Sequence, residues 1–311
     1  MKKVICCLTS IMLIGFAGCA NDTNQTHEET SSSNYGQVTT QSSEITASGS
    51  LEAQEPAQTS QESGEVIINE QVLVDENGIK ITATGFDEGG IFGPGIKLLI
   101  ENNTDTDLTV QARNASVNGY MIDTSISAEV VAGKKANDTI DFMESDLETC
   151  GITTLADFEF SFHIFSTDDW QEYLDTPIVQ VKNASVDSYN YEYDDTGTLL
   201  YEGEGIRIIS KGMAEEGSFL GPNLKLFIEN LSQQGITVQA RDVSVNGFMV
   251  DTSLSAEVLP NKRANTELTL IESDLEENGI AAVNEIELSF HIFESESWND
   301  IIDTEKITIT F

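Results

Sequence analysis

Basic residues are scarce in this chain: 15 Lys and Arg stand against 53 Asp and Glu, a formal net charge of −38. Contact with a phosphate backbone needs clustered Lys and Arg, so nucleic acid is excluded as a partner. An anionic lipid surface is repelled for the same reason. Cysteine is nearly absent, since Cys6, Cys7 and Cys19 lie close to the start and only Cys150 follows. That rules out a disulfide framework, and any folded part must be held by its own core. No apolar run reaches the length of about 20 residues that a membrane-crossing helix needs. No His/Cys cluster offers zinc spacing, and no Gly-x-Ser-x-Gly elbow is present. Asn103-Thr104-Asp105-Thr106-Asp107 lacks the glycine and glutamate of a calcium loop, and its counterpart Leu231-Ser232-Gln233-Gln234-Gly235 has no acid at all. Gly93-Pro94-Gly95 precedes no helix start and so is a turn, not a phosphate cradle. Nothing calls for a metal or a cofactor.

What the chain does have begins at its N-terminus. Lys2 and Lys3 are followed by an apolar stretch over residues 4–16 and by Ala17-Gly18-Cys19. This is the pattern of a secretory signal. Residues 20–64 then carry no Lys or Arg, little that is apolar, and much Ser, Thr, Gln and Glu. Such a segment cannot bury enough apolar surface to offset its ordering entropy and is expected to be a disordered stalk. As a flexible tether it would reach about 35–40 Å. Without Lys2 and Lys3, the remaining 13 bases face 53 acids, a net charge of −40. Most of these acids alternate with apolar residues and mark solvent faces that favour solubility.

The folded part is organised by a duplication. Residues 109–125 read TVQARNASVNGYMIDTS, and residues 237–253, 128 positions later, read TVQARDVSVNGFMVDTS. Apolar alternation running into Asn-Gly and out again is a strong hairpin signal. From Gly93 to Trp170 the second copy follows without a gap, whereas Gly78-Ile79-Lys80-Ile81 matches Gly205-Ile206-Arg207-Ile208 at an offset of 127. One residue has been inserted near 215–219, a loop. In the first copy, alternation predicts strands at 72–74, 79–84, 96–101, 108–113, 120–130, 136–143, 158–165 and 178–181. Ser145-Asp146-Leu147-Glu148 predicts a capping box, with Gly151 to end a short helix. So many short strands in each copy predict an all-β protein of two tandem antiparallel sandwiches, with a small barrel as the alternative. The expected organisation is signal 1–18, stalk 19–64, first repeat 65–182, linker 183–197 and second repeat 198–311. Tyr189, Tyr191 and Tyr193 fit either packing between the repeats or an early edge strand.

Two resemblances sharpen this. Phe16-Ala17-Gly18-Cys19 resembles the lipobox of bacterial lipoproteins, with Phe16 where leucine is usual. The resemblance implies cleavage before Cys19, a lipid on that cysteine, and anchoring on the outer face of the cell membrane. Residues 96–120 (IKLLIENNTDTDLTVQARNASVNGY) and 224–248 (LKLFIENLSQQGITVQARDVSVNGF) resemble immunoglobulin-like domains of unknown function in Gram-positive surface lipoproteins. That family implies a fold and an address, and no activity.

Four residues recur in both copies as site candidates: Arg113/Arg241, Asn118/Asn246, His163/His291 and Trp170/Trp298. Arg113 is expected to pair across strands with Glu101, and Arg241 with Glu229. Asn118 is required by its turn. Trp170 is expected to plug one end of a sandwich, or else to form a platform for sugars or peptides. Glu159, Ser161 and His163 share one strand face, but neighbours two apart are about 6.5–7 Å distant, too far for a triad. The reading is a non-enzymatic binding module facing an envelope protein, peptide or glycan. A structural spacer is the alternative, and a hydrolase a distant third.

Overall fold

The computed structural model describes residues 65–311; the predicted signal, Cys19 and the stalk lie outside the described residues. Among the described residues no helix is long and apolar enough to cross a membrane.

The first repeat contains β1 (Gln71–Glu76), β2 (Ile79–Asp87), β3 (Gly95–Asn102), β4 (Leu108–Val117), β5 (Tyr120–Met121), β6 (Thr124–Ser125), β7 (Ala128–Val130) and β8 (Lys135–Phe142). Helix α1 (Glu144–Thr149), β9 (Asp157–Ser166), β10 (Glu172–Asp175) and β11 (Val179–Lys182) complete it. One sheet runs β1-β2-β3-β8-β6, and in the other β9 lies between β4 and the pair β10 and β11. Strands β3 and β4, and again β8 and β9, are consecutive yet lie in different sheets. With β2-β3-β8-β6 against β11-β9-β4, this is the immunoglobulin-type strand order.

Alternation explains the core. Ile96, Leu98 and Ile100 from β3 are buried against Val110, Phe158, Phe160, Phe162 and Ile164 from β4 and β9. The rings of Phe142 and Phe158 meet at 5.1 Å. Truncating Phe158 to alanine in such a centre costs about 3–5 kcal/mol.

Local chemistry sets the connections. Asn118 (φ 51) and Gly119 (φ 83) both have positive φ, as a two-residue type I′ turn demands, and Val117 faces Tyr120 across it. The return is not one strand over 120–130, as alternation predicts. Strand β5 pairs with β4, β6 crosses to β8 in the other sheet, and β7 returns to β4. Ahead of the turn, β4 carries a bulge between Arg113 and Ser116, with Asn114 at φ 56. The expected capping box does not form either: Met143 is the N-cap and makes no side-chain cap bond. Asp146 instead accepts the Asp123 amide at 2.9 Å, tying α1 to the β5–β6 segment. The helix end is as expected, because Gly151 (φ 64) donates to the Glu148 carbonyl and Ile152 donates to that of Leu147, a Schellman pair.

The second repeat follows the same plan: β12 (Thr198–Gly203), β13 (Ile206–Met213), β14 (Asn223–Asn230), β15 (Ile236–Val245), β16 (Phe248–Met249), β17 (Thr252–Ser253), β18 (Ser255–Val258) and β19 (Lys262–Leu270). Helix α2 (Glu272–Glu277), β20 (Glu285–Glu294), β21 (Asp300–Asp303) and β22 (Ile307–Thr310) close the chain. Each repeat has its own apolar cluster, but they are not independent. Tyr120 of β5 lies beside Arg263 of β19, and the Arg263 amide donates to the Gly119 carbonyl at 3.0 Å. That contact merges a sheet of each repeat into one of 11 strands. Residues 65–311 accordingly lie within one compact unit.

Side chains reinforce the junction. The Tyr120 ring packs against Phe227 at 6.4 Å and Tyr193 at 5.4 Å, and the Arg263 guanidinium lies 3.4 Å above the Tyr193 ring. Arg263 also pairs with buried Glu229 at 2.7 Å, and Lys262 pairs with Glu159 of the first repeat at 2.7 Å. The tyrosines at 189, 191 and 193 therefore belong to the junction: Tyr191 and Tyr193 stack at 6.2 Å, and no strand forms there.

Candidate functional site

Strand β9 turns Phe158, Phe160, Phe162 and Ile164 inward, which leaves His163 and Phe165 on the opposite face. His163 Nδ1 lies 2.5 Å from Asp175 Oδ1 on the neighbouring β10. Its ring packs on Phe165 at 5.3 Å, and Phe165 stacks on Trp170 at 5.4 Å with planes 16° apart. The second repeat rebuilds the array. His291 Nδ1 meets Asp303 at 2.7 Å, His291 packs on Phe293 at 5.2 Å, and Phe293 stacks on Trp298 at 5.3 Å and 16°.

The tryptophans sit in an unusual place. The β9–β10 turn is closed by Trp170 N–H donating to the Ser166 carbonyl at 3.0 Å, and Ser166 N–H donating to Gln171 at 2.9 Å. Its last residue is left-handed, and in both copies that residue is Trp, with φ 60 at Trp170 and 61 at Trp298. A bulky residue at positive φ is an outlier that glycine or asparagine would avoid. Trp170 is 69% exposed and Trp298 72%, each with one face on a buried Phe and the other towards solvent. They do not plug the sandwich ends. Carboxylates flank both: hydrogen bonds from the Ser166 hydroxyl and the Gln171 amide hold Asp169 below the usual carboxylate range. Bonds from Ser297 and Asn299 do the same for Glu294.

The arginines pair otherwise than expected. Glu101 binds Lys135, Glu229 binds Arg207 and Arg263, and Arg241 lies 3.6 Å from Asp303. Arg113 makes no ion pair among the described residues and lines a cleft of about 690 Å³ between the repeats, with Asn114, Asp123, Asp146 and Asn265. The expected pairs do not form because β4 lies in a different sheet from β3, and β15 in a different sheet from β14. Lys135 and Arg263, on the strands beside β3 and β14, pair with those carboxylates instead. Burial, and then the neighbouring Asp146, raise the Asp123 carboxyl above its ordinary value. Cys150 borders the same cleft, and burial pushes its thiol up to about 11.

Asn118 does more than turn the chain. Buried, it donates to the Thr154 carbonyl at 2.6 Å and accepts the amides of Ala156 and Asp157 at 3.0 and 3.1 Å. Asn246 repeats this with Ala282, Asn284 and Glu285. Glu159, Ser161 and His163 form no relay: the Ser161 hydroxyl donates to the Arg113 carbonyl at 3.3 Å, and the histidine faces Asp175. Among the described residues no group of three or more His, Cys, Asp or Glu is arranged to hold a metal ion.

One repeated feature escaped the sequence reading. The β2–β3 loop presents Ile91, 93% exposed, beside Phe92, and the β13–β14 loop presents Phe219, fully exposed, beside Leu220. Each loop is braced by backbone, since Glu144 N–H donates to Phe92 and Glu272 N–H to Leu220. The available signal was an apolar pair directly before a glycine in both copies, Gly90-Ile91-Phe92-Gly93 and Ser218-Phe219-Leu220-Gly221.

No protein-family model matches the chain, and no curated protein matches it in sequence. Solved structures similar to it include the YadV chaperone, at 11% identity and a TM-score of 0.23 over 70% of this chain and 92% of that one. Another is the Salmonella enterica SafA pilin in complex with the SafB chaperone, at 11% identity and a TM-score of 0.19 over 70% and 89%. At these values the assignment of an immunoglobulin-type fold rests on the strand order itself.

Proposed function

We propose that this chain is a bacterial surface lipoprotein, anchored through Cys19 to the outer face of the cell membrane. There it acts as a non-enzymatic binding module with two equivalent aromatic platforms. The observation that carries the binding reading is the pair Trp170 and Trp298, exposed and left-handed in both copies. Local rules are broken where function requires it, and here the same rule is broken twice in the same way. A free indole face beside carboxylates suits the flat apolar face of a sugar ring, whose hydroxyls the carboxylates accept. A peptide of the envelope is the competing ligand. The lipoprotein reading rests on Phe16-Ala17-Gly18-Cys19 and the polar stretch after it.

Each part has its own test. Cys19→Ser should release the protein into the medium, and retention at the membrane would remove the lipid anchor from the reading. The two platform residues are the protein's two tryptophans, so fluorescence excited selectively at the indoles reports on them alone. Titration with soluble envelope glycan fragments should shift that emission, and Trp170→Ala with Trp298→Ala should abolish binding measured by calorimetry. Response to envelope peptides alone would reassign the ligand, and response to neither would remove the platform's function.

A further inference from the structure

The internal junction is asymmetric: it joins a turn of the first repeat to a strand start of the second. Its turn half is Gly119 with Tyr120 and Met121, and its strand half is Arg263 with Phe227 beneath. Duplication supplies each half a second time, and among the described residues neither second half is used. In the second repeat the turn half is Gly247-Phe248-Met249; Phe248 is 49% exposed and Met249 66%, whereas Tyr120 is buried. In the first repeat the strand half is Lys135 on β8, paired to Glu101 as Arg263 is to Glu229. Strand β6 reaches only Asp141 and Phe142 of β8, so among the described residues the edge at Lys135 is open. The corresponding β17 reaches only Thr269 and Leu270 of β19, and there β5 fills the remaining edge.

We propose that copies of this chain associate head to tail by repeating that junction, with the Phe248 turn of one molecule against the Lys135 edge of the next. The occupant is a second copy because four of the internal contacts have a counterpart at the equivalent positions. Lys135 N–H would meet the Gly247 carbonyl, as Arg263 N–H meets Gly119. Asn137 would reach Glu277 at the end of α2, as Asn265 donates to the Thr149 carbonyl at 3.2 Å. Lys134 would face Glu287, as Lys262 faces Glu159. Phe248 would rest on Leu99, as Tyr120 rests on Phe227. Such a contact is heterologous, so it propagates past a dimer, into open chains or, where the rotation closes, into rings. It is weaker than the internal one, since Leu99 replaces Phe227 and no aromatic at Glu65 or Val66 replaces Tyr193. With a net charge of −38, molecules repel one another, so added salt promotes association.

Sedimentation velocity of the full chain at about 0.5 mM, in about 0.5 M NaCl where the screening length is about 4 Å, tests this. The weight-average mass should climb past the dimer with concentration and fall back towards monomer at low salt. Phe248→Asp and Lys135→Glu should each be monomeric when alone, and mixed they should form a one-to-one dimer. Thermal melts of both variants check folding, each change lying at an exposed position. Lys135→Arg with Phe248→Tyr, which installs the internal junction's residues, should strengthen association about tenfold. A wild type that stays monomeric, one that stops at a dimer, or variants that do not complement each other would each overturn the proposal.

Discussion

At Trp170 and Trp298 the backbone asks for glycine and the side chain asks for a partner. A left-handed non-glycine residue costs about 1–3 kcal/mol, and stacking on Phe165 or Phe293 returns about 0.5–1.5. Trp170→Gly with Trp298→Gly should therefore leave the melting midpoint within a few degrees, or raise it, while ligand binding is lost. A large loss of stability would make these residues structural. Asn118 shows the opposite balance. Asn118→Ala strands two amides and a carbonyl inside the fold and should cost about 2–4 kcal/mol in urea unfolding. Burial of Cys150 keeps its thiol protonated up to about 11, so alkylation at pH 8 should be far slower in the native than in the unfolded protein. For Asp123 the folded pKa lies above the unfolded one. Its favourable contribution is then complete below about 3.9 and is lost as pH rises through the raised value. Asp123→Asn should raise the urea midpoint at pH 7 and leave it unchanged at the acid end. The sequence made the Asn118-Gly119 turn legible because Asn-Gly states its own dihedral angles. It marked Trp170 by repetition but hid its left-handed backbone, because no local propensity predicts a tryptophan where φ is 60.

At the level of elements, alternation located the long strands well, since Phe158, Phe160 and Phe162 leave one arrangement for β9. It failed over 120–130, where apolar residues continue but their hydrogen-bond partners change sheet twice. The junction was legible in the three alternating tyrosines, as one of two readings, and otherwise only as an exchange between the copies. The first has Lys80, Glu101 and Lys135; the second has Arg207, Glu229 and Arg263. Arginine suits a carboxylate that is both buried and shared, because its planar fork can bond Glu229 and lie on Tyr193 at once. Arg263→Lys retains the charge but loses the stacking geometry. We expect it to weaken the junction, seen as faster amide exchange at Tyr120 and Arg263 with the β9 core unchanged. Equal protection in both proteins would place the junction's strength elsewhere.

On the scale of the whole molecule, two cores share one sheet, and Phe227 and Ile209 of the second repeat pack with the first repeat's core. Calorimetry should show a single unfolding transition. Tyr120→Ala with Arg263→Ala should divide it in two, and an undivided peak would mean that other contacts hold the repeats together. Where the chain enters the fold, the Ile67 amide donates to the Asn183 side chain at 2.9 Å, Ala184 N–H donates to Ile67 at 2.7 Å, and the Ser185 hydroxyl donates to Glu65 at 2.6 Å. Asn183 in turn grips the Leu155 carbonyl at 2.9 Å. The entry strap is thus fastened to the segment that leads out of the first repeat. Mechanically this is a load path. A pull applied at Glu65 passes directly to residues 183–185 at the root of the junction, and the first repeat's sandwich is largely shielded from tension. Asn183→Ala should lower the rupture force when the protein is pulled between Glu65 and Phe311, while leaving unchanged the force between Thr198 and Phe311, which bypasses the strap.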